Sequence, residues 1–351
     1  MPILAFLFAF LATQSPDAFP PLGIIDFYGL HTVPEAQLLQ ALPYHMDDSI
    51  FVEQFKSQKH AVEQKLASLP GVSGAYLTLV CCTQNRKSIL YVGIEEADRP
   101  CEKFQPAPTG SVKLTEDVLS AGSDYDVAFQ KSILKGNFAE DDSQGHALDL
   151  DPDVRAIQLR FVVLAETQLA HLKDVLHNSS DGQQRAFAAQ VLGYVKDKQA
   201  IVPDLMAAMR DPEPDVRNNS TRALLILAEF SPKAPAQKIK ISPRPFIELL
   251  NSCIWSDRNK SSGALAQLTE KRDPALLSEI RNQALPSLLE MANWKYLGHA
   301  RFSLMILGRI CGLTDAAIQK DLDQGNRARV IAAAQEVANH KRAIDKSPPQ
   351  N

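Results

Sequence analysis

Repetition in the second half of the chain restricts the fold more than any other feature of the sequence. Four predicted helix starts stand at offsets of 32, 41 and 41 residues, and each leads into an apolar pattern with helical spacing. These segments are Gln184-Arg185 before AFAAQVLGY, Val216-Arg217 before NNSTRALLI, Asp257-Arg258 before NKSSGALAQL, and His299 before ARFSLMILG. Because one helix pair cannot bury its apolar face alone, repeats of this period predict a stack of helix pairs.

A short amphipathic helix is predicted in front of each of these segments. The predicted first helices are Leu169–Leu176, Ile201–Met209, Pro245–Leu250 and Ala284–Met291. Between the second and third repeats, the proline-rich stretch Ser231–Arg244 carries basic but no acidic residues and predicts an inserted loop. This insertion accounts for the longer offset at that point.

One of these repeats carries a family resemblance. The segment DPEPDVRNNSTRALLILA resembles a HEAT-like repeat, with a proline before the second helix and Asp215-Val216-Arg217 at its start. The resemblance extends over residues 154–340 in four or five uneven copies, and the fourth copy lacks the acid and the arginine. It implies an all-α HEAT-like solenoid in this part of the chain.

A smaller mixed domain is predicted before the repeats, over residues 22–96. Its pattern is strand, helix, helix, strand, strand, because short β-rich runs flank two amphipathic segments that end at Pro70-Gly71. The segments are Gly23–Gly29, a helix opened by Pro34, Phe51–Leu69, Ala75–Cys82 and Ser88–Ile94.

The mixed segment resembles a POTRA domain through IIDFYGLHTVPEAQLLQAL, LPGVSGAYLTLV and ILYVGIEE. The resemblance implies an α+β fold of βααββ order that binds other proteins, often through an exposed strand edge. Such an edge carries unpaired N–H and C=O groups that can accept an added strand.

The first residues bear on the compartment. Residues 2–12 read PILAFLFAFLA, an apolar run too short to cross a bilayer as a helix, and turn-forming residues follow it. This pattern predicts a signal peptide over residues 1–18 and no membrane span in the mature chain. The alternative is a retained N-terminal helix, which would make the protein a cytoplasmic scaffold.

An acidic connector is predicted over residues 97–153. Its first third is proline-rich and predicts an exposed linker, and Leu114–Lys135 predicts one or two short helices broken at Ala121-Gly122-Ser123. His146 stands in a loop beside Gly145 and is a candidate ligand-binding or catalytic residue. The alternative is a packed structural histidine, because no second histidine or nucleophile accompanies it. Residues 341–351 predict a frayed tail.

Composition excludes several classes of protein. With 37 Lys+Arg against 41 Asp+Glu, the chain has no basic excess that would predict nucleic-acid binding. The sequence contains no phosphate loop, GxSxG, HExxH or Cys-x-x-Cys motif, so we expect no enzyme activity, no metal and no cofactor.

Polar residues at the starts of the second helices are candidate binding groups. In solenoids the second helices line the concave surface, so such residues could form a ladder that holds an extended or anionic partner. The alternative is that the arginines link neighbouring repeats. The candidates are Arg217, Asn218, Asn219, Arg258, Asn259 and Lys260.

Three of the five cysteines lie near the small domain. Cys101 follows the third predicted strand, and a disulfide to Cys81 or Cys82 is one interpretation for an exported protein. The other is that these cysteines are unpaired and one of them is a core residue.

Together these patterns predict an exported, non-catalytic scaffold. It would bind partner proteins through a sheet edge of the small domain and through the concave surface of the repeats. The alternative is a cell-envelope enzyme or chaperone-like factor with a site near His146.

Overall fold

The computed structural model describes residues 18–101, 104–135 and 139–345, with the backbone alone at 134 and 340–345. The predicted signal peptide lies outside these residues, apart from residue 18. Residues 346–351 of the predicted tail also lie outside them, whereas residues 341–345 belong to the last helix.

The small domain has the predicted order of elements. Its elements are β1 (Leu22–Tyr28), α1 (Glu35–Ala41), α2 (Val52–Ala67), β2 (Val72–Val80) and β3 (Ser88–Glu96). The strand order in the sheet is β1-β3-β2, with β1 parallel and β2 antiparallel to the central β3. Because β3 has a neighbour on each side, β1 and β2 form the two edges.

Strand β3 is buried on both faces. Leu90, Val92 and Ile94 belong to the apolar core shared with α1 and α2. Ile89 and Tyr91 point the other way and belong to the core of the helical repeats. The sheet is therefore a middle layer between its own two helices and the repeats, which explains why β3 is apolar along nearly its whole length.

The second part of the chain is helical. Its first elements are α3 (Glu116–Lys135), a hairpin of β4 (Glu140–Asp141) and β5 (Leu148–Asp149), and α4 (Pro152–Thr167). The following helices are α5 (Leu169–Asn178), α6 (Gly182–Leu192), α7 (Val202–Ala208), α8 (Pro214–Phe230), α9 (Arg244–Leu249), α10 (Trp255–Leu268), α11 (Pro274–Ala292), α12 (Leu297–Ile310), α13 (Asp315–Asp323) and α14 (Ala328–Asp345). The segment between α8 and α9 is irregular, with two short 3₁₀ turns, as the predicted insertion requires.

The repeats form two rows. Helices α5, α7, α9 and α11 are the first helices, and α6, α8, α10 and α12 are the second helices, each packed beside the next second helix.

The predicted break inside α3 is wrong, because α3 is one continuous helix. Ala121 is fully buried, and Gly122 lies so close to the Phe187 ring that a Cβ there would stand 2.9 Å from it. The small residues permit close packing of α3 on the repeats rather than a turn.

The segment 104–115, called here the strap, has mostly exposed residues, but its backbone is bonded to the repeats. Its backbone bonds to a turn and to a helix start of successive repeats: Gln105 N donates to Arg210 O at 3.0 Å, and Leu114 N donates to Gln184 Oε1 in the first turn of α6 at 2.7 Å. Between them, Gly110 O accepts from Ser180 N at 2.8 Å. The strap thus carries the chain from the small domain back to the first repeat along the turns.

No helix within the described ranges has both the length and the apolar character needed to cross a membrane.

Candidate functional site

Three arginines at equivalent places in the second helices join each repeat to the next. Arg185 bonds to Asp211 at 2.8 Å, Arg217 bonds to Asp257 at 3.0 Å, and Arg258 bonds to Glu290. Each arginine also donates to the carbonyl six residues earlier in its own turn. Both partners of the Arg217–Asp257 pair are buried, which makes the pair part of the interior.

Arg217 and Arg258 are therefore not binding residues on an accessible surface. They are 1% and 5% exposed, and aromatic rings cover them. The Phe104 ring centroid lies 3.6 Å from Arg217 Cζ, and the Tyr28 ring centroid lies 4.9 Å from Arg258 Cζ. In the structure these two arginines link neighbouring repeats, as the alternative interpretation states.

His299 takes the place of the arginine in the fourth repeat. Its Nδ1 lies 2.8 Å from the hydroxyl of Tyr91 on β3. The Tyr91 ring stacks on Trp255 with centroids 5.0 Å apart and lies 5.3 Å from Trp294. The missing arginine of the fourth copy thus marks the place where the small domain docks on the repeats.

The predicted disulfide from Cys101 to Cys81 or Cys82 is wrong. The structure joins Cys81 to Cys82 and joins Cys101 to Cys253, whose Cα atoms are 5.8 Å apart. Cys101 follows the end of β3 and lies next to the turn before α10, where it reaches a partner 152 residues away.

The remaining polar candidates lie half-buried on the second helices. Lys260 Nζ on α10 donates to Asn218 Oδ1 on α8 at 2.5 Å, and Asn219 Nδ2 donates to Ala186 O on α6 at 2.9 Å. Asn259 Oδ1 is buried and has no hydrogen-bond partner among the described residues. These amides and the lysine thus form polar links across α6, α8 and α10.

A cleft brings two of the candidates, His146 and Asn219, to one place. It lies between the second helices and residues 139–151, called here the arm, which contains the β4–β5 hairpin, and its cavity volume is about 30 Å³. Its walls are Gly145, His146 and Ala147 of the arm, Gln190, Gly193 and Tyr194 in and after α6, and Asn219, Arg222, Ala223 and Ile226 of α8.

Behind His146 lies a buried lysine that the sequence patterns do not reveal. Lys198 is 1% exposed, and its Nζ lies 3.0 Å from His146 Nδ1 and donates to Gly193 O at 3.2 Å. Burial lowers the pKa of Lys198 to about 8. Burial, and then the charge of Lys198, lowers the pKa of His146 to about 4. Near neutral pH the imidazole is therefore neutral, and its Nδ1 accepts a hydrogen bond from the ammonium group.

Arg222 is the charged group at the edge of the cleft. Both carboxylate oxygens of Glu140 in the arm contact its Nη2. Burial, and then the charge of Arg222, lowers the pKa of nearby Lys260 to about 8.

The cleft-lining residues include no serine, threonine, cysteine or carboxylate. Among the described residues no cluster of three His, Cys, Asp or Glu side chains could hold a metal ion. The arrangement presents cationic and amide groups above a partly apolar cleft, which suits binding.

A part of the helical region is similar to a known protein family. The family model of HEAT repeats matches residues 169–237, which contain α5 to α8. The ion pair between Arg185 and Asp211, which joins the first two repeats, lies within this range. The chain thus combines a small three-stranded α+β domain with a helical region, of which residues 169–237 are similar to HEAT repeats. No curated protein matches the sequence.

We expect stability to fall as the pH is lowered from about 6.5 to 4. Burial lowers the pKa values of His146 and His299 from 6.5 to about 4, so in this range each binds a proton in the unfolded chain that it does not bind in the folded chain. Burial raises the pKa of Asp26 to about 6, and this one group acts in the opposite direction and offsets part of the loss. Above pH 6.5 the neutral histidines do not reduce stability. Between pH 6.5 and 5 each histidine lowers the free energy of unfolding by about 2 kcal/mol. Urea unfolding followed by circular dichroism at pH 7 and pH 5 measures the loss.

The variant His146→Gln should show a decline smaller by about that 2 kcal/mol. His45→Gln, at an exposed position, is the matched control and should decline like the unchanged protein. Equal declines for both variants would mean that His146 is protonated as easily in the folded as in the unfolded chain.

Proposed function

We propose that this protein is a non-catalytic scaffold that holds a segment of a partner protein along its second helices. The proposed surface, called here the second-helix row, consists of Gln190, Asn218, Asn219, Arg222 and Lys260 together with the cleft beside them. HEAT repeats typically mediate protein interaction, and the family match covers two of the helices that form this row. The observation that carries the proposal is the cleft, where polar groups of neighbouring second helices meet beside an open volume.

Binding fits the cleft better than catalysis. A general base needs a free ring nitrogen and a pKa near the working pH. The Nδ1 of His146 is engaged by Lys198, and the pKa of His146 is about 4. These features favour the scaffold over an envelope enzyme centred on His146.

The order of elements and the central position of β3 support a POTRA-like small domain. Strand addition is nevertheless the less favoured route for a partner. On β2, Leu77 N already donates to Glu63 Oε1 at 2.8 Å, and on β1, Ile25 O accepts from Lys295 Nζ at 2.7 Å. An added strand would have to displace these side chains, so we assign the small domain a supporting role and the second-helix row the binding role.

We propose that the protein is exported. The N-terminal apolar run has the pattern of a signal peptide. The two disulfides suit an oxidising compartment, because such bonds are rare where glutathione and thioredoxin keep thiols reduced.

The test is capture of cross-linked partners from the envelope fraction of the native host. The unchanged chain is compared with the double variant Asn219→Ala/Lys260→Ala and with Arg210→Ala, which removes an exposed arginine beyond the end of α7. We expect the recovered partner to fall at least about fivefold for the double variant and to stay constant for the control. Mass spectrometry of the same material should find a mature N-terminus beyond the apolar run.

Equal recovery for all three proteins would overturn the binding role of the second-helix row. Material that begins at Met1 and stays in the soluble cytoplasm would overturn export.

A further inference from the structure

The chain places one of its own carboxylates on the second-helix row. Glu140 contacts Arg222 through both carboxylate oxygens, although it belongs to the arm and is separated from α8 by the four helices α4 to α7. The Arg222 side chain nevertheless remains 42% exposed at the edge of the cleft. The arginine can thus be reached by a second carboxylate without any rearrangement of α8.

Two further cations, Lys198 and Lys260, lie near the cleft and Arg222. Lys198 bonds to His146 and to a carbonyl, and Lys260 bonds to the amide of Asn218. Within the described parts of the chain, neither lysine forms an ion pair with a carboxylate. Asp257 lies near Lys260, but it accepts from Arg217 and from Ser252. Asp215 lies near Lys260, Glu166 near Lys198 and Asp149 near Arg222, but Glu140 is the carboxylate in direct contact with Arg222.

The cleft next to Arg222 has an apolar part. Ala147, Ala223, Ile226 and the ring of Tyr194 line it together with two glycines. A cavity volume of about 30 Å³ admits no more than the end of one aliphatic side chain. An occupant that suits both halves of the site has an apolar group next to a negative charge.

We infer that the second-helix row binds an acidic, extended segment of a partner protein, in which one carboxylate replaces Glu140 on Arg222 and the end of a neighbouring aliphatic side chain enters the cleft. This inference rests on the proposed scaffold function and specifies the chemistry of its partner. Glu140 then acts as an internal competitor, because it offers Arg222 the same group as the partner does. Lys260 stands one helix further along and supplies the contact for a second carboxylate.

The experiment measures binding of fluorescent synthetic peptides to the full chain. The acidic probe has the sequence Gly-Glu-Ala-Leu-Glu-Gly, and its matched probe carries glutamine at both glutamate positions. Fluorescence anisotropy is recorded at low and at high salt, since ion pairs at an exposed site weaken as salt rises. The variants are Glu140→Gln, Arg222→Gln and the control Arg210→Gln, whose arginine pairs with Glu248 away from the cleft.

We expect the acidic probe to bind at least about tenfold more tightly than the glutamine probe. Glu140→Gln should tighten binding by about threefold or more, Arg222→Gln should weaken it by about tenfold, and Arg210→Gln should leave it unchanged. Equal affinities for the two probes overturn the inference, as does weaker binding by Glu140→Gln. Because Glu140 is at the surface, its variant keeps the test decisive even if Arg222→Gln does not fold.

This result is separable from the capture experiment. If partner recovery depends on Asn219 and Lys260 but the probes bind equally, the scaffold function stands and the acidic partner is wrong. If recovery does not depend on the second-helix row, the scaffold function itself fails.

Discussion

Replacing Arg217 by methionine lowers the free energy of unfolding by about 3–5 kcal/mol. The guanidinium and the Asp257 carboxylate are 1% and 0% exposed, and the Arg217 Nη2 lies 2.9 Å from Asp257 Oδ2. Without the arginine, Asp257 is a buried carboxylate whose remaining partner is the hydroxyl of Ser252. The variant also frees the carbonyls of Asp211 and Pro212, to which Arg217 donates. Urea unfolding followed by circular dichroism measures the loss.

Two comparisons separate this mechanism from a general loss of packing. The double variant Arg217→Met/Asp257→Leu should recover a large part of the loss, because no unpaired charge stays buried. The control Arg210→Met breaks the exposed pair with Glu248 and should cost no more than about 1 kcal/mol. If the double variant is less stable than Arg217→Met, the isolated carboxylate is not the cause.

Removing the Cys101–Cys253 bond, by Cys101→Ala and Cys253→Ala together, lowers the free energy of unfolding by about 5 kcal/mol. The bond joins residues 152 positions apart, so its loss releases a long loop in the unfolded chain, and the chain-entropy relation attaches about that value to a loop of this length. The melting temperature without reductant measures the effect. Reductant should lower the melting temperature of the unchanged protein by about as much as the double substitution does. The double variant lacks this bond, so reductant cannot lower its melting temperature by breaking it.

The chain contains its own control for the disulfide. Cys81 and Cys82 are adjacent, so the bond between them closes no long loop, and Cys81→Ala/Cys82→Ala should change the melting temperature far less. Similar losses for the two double variants would contradict loop entropy as the source of stabilisation.

Local pattern predicted the elements well. The strand, helix, helix, strand, strand order of the small domain and the paired helices of the repeats follow from periods of two and of 3.6 residues, which a short window of sequence contains. The break predicted at Ala121-Gly122-Ser123 is wrong because a short window of sequence does not contain the neighbour that decides it. Small residues permit a turn and equally permit close packing, and the neighbour that decides between them, Phe187, lies on another helix.

The candidate site could be predicted in part. Asn219 and His146 were identified from their residue types and places, and the structure brings both to one cleft. The sequence alone does not identify Lys198 and Glu140, because a lone lysine or glutamate has no distinguishing local pattern. Arg217 and Arg258 stand at the predicted helix starts, but the rings that cover them come from Phe104 and Tyr28, far away in the chain.

The sequence by itself determined which segments become strands and helices and that the helices repeat, because hydrophobic periodicity and turn chemistry act over a few residues. Only the tertiary structure decided which residues are accessible, which cysteines pair and which charges meet. The strap runs back along the repeats, the sheet docks where His299 replaces an arginine, and the arm brings Glu140 to Arg222. Each of these contacts joins residues dozens to hundreds of positions apart. Their energies depend on burial and on paired charge, which are properties of the packed molecule rather than of any short stretch of the chain.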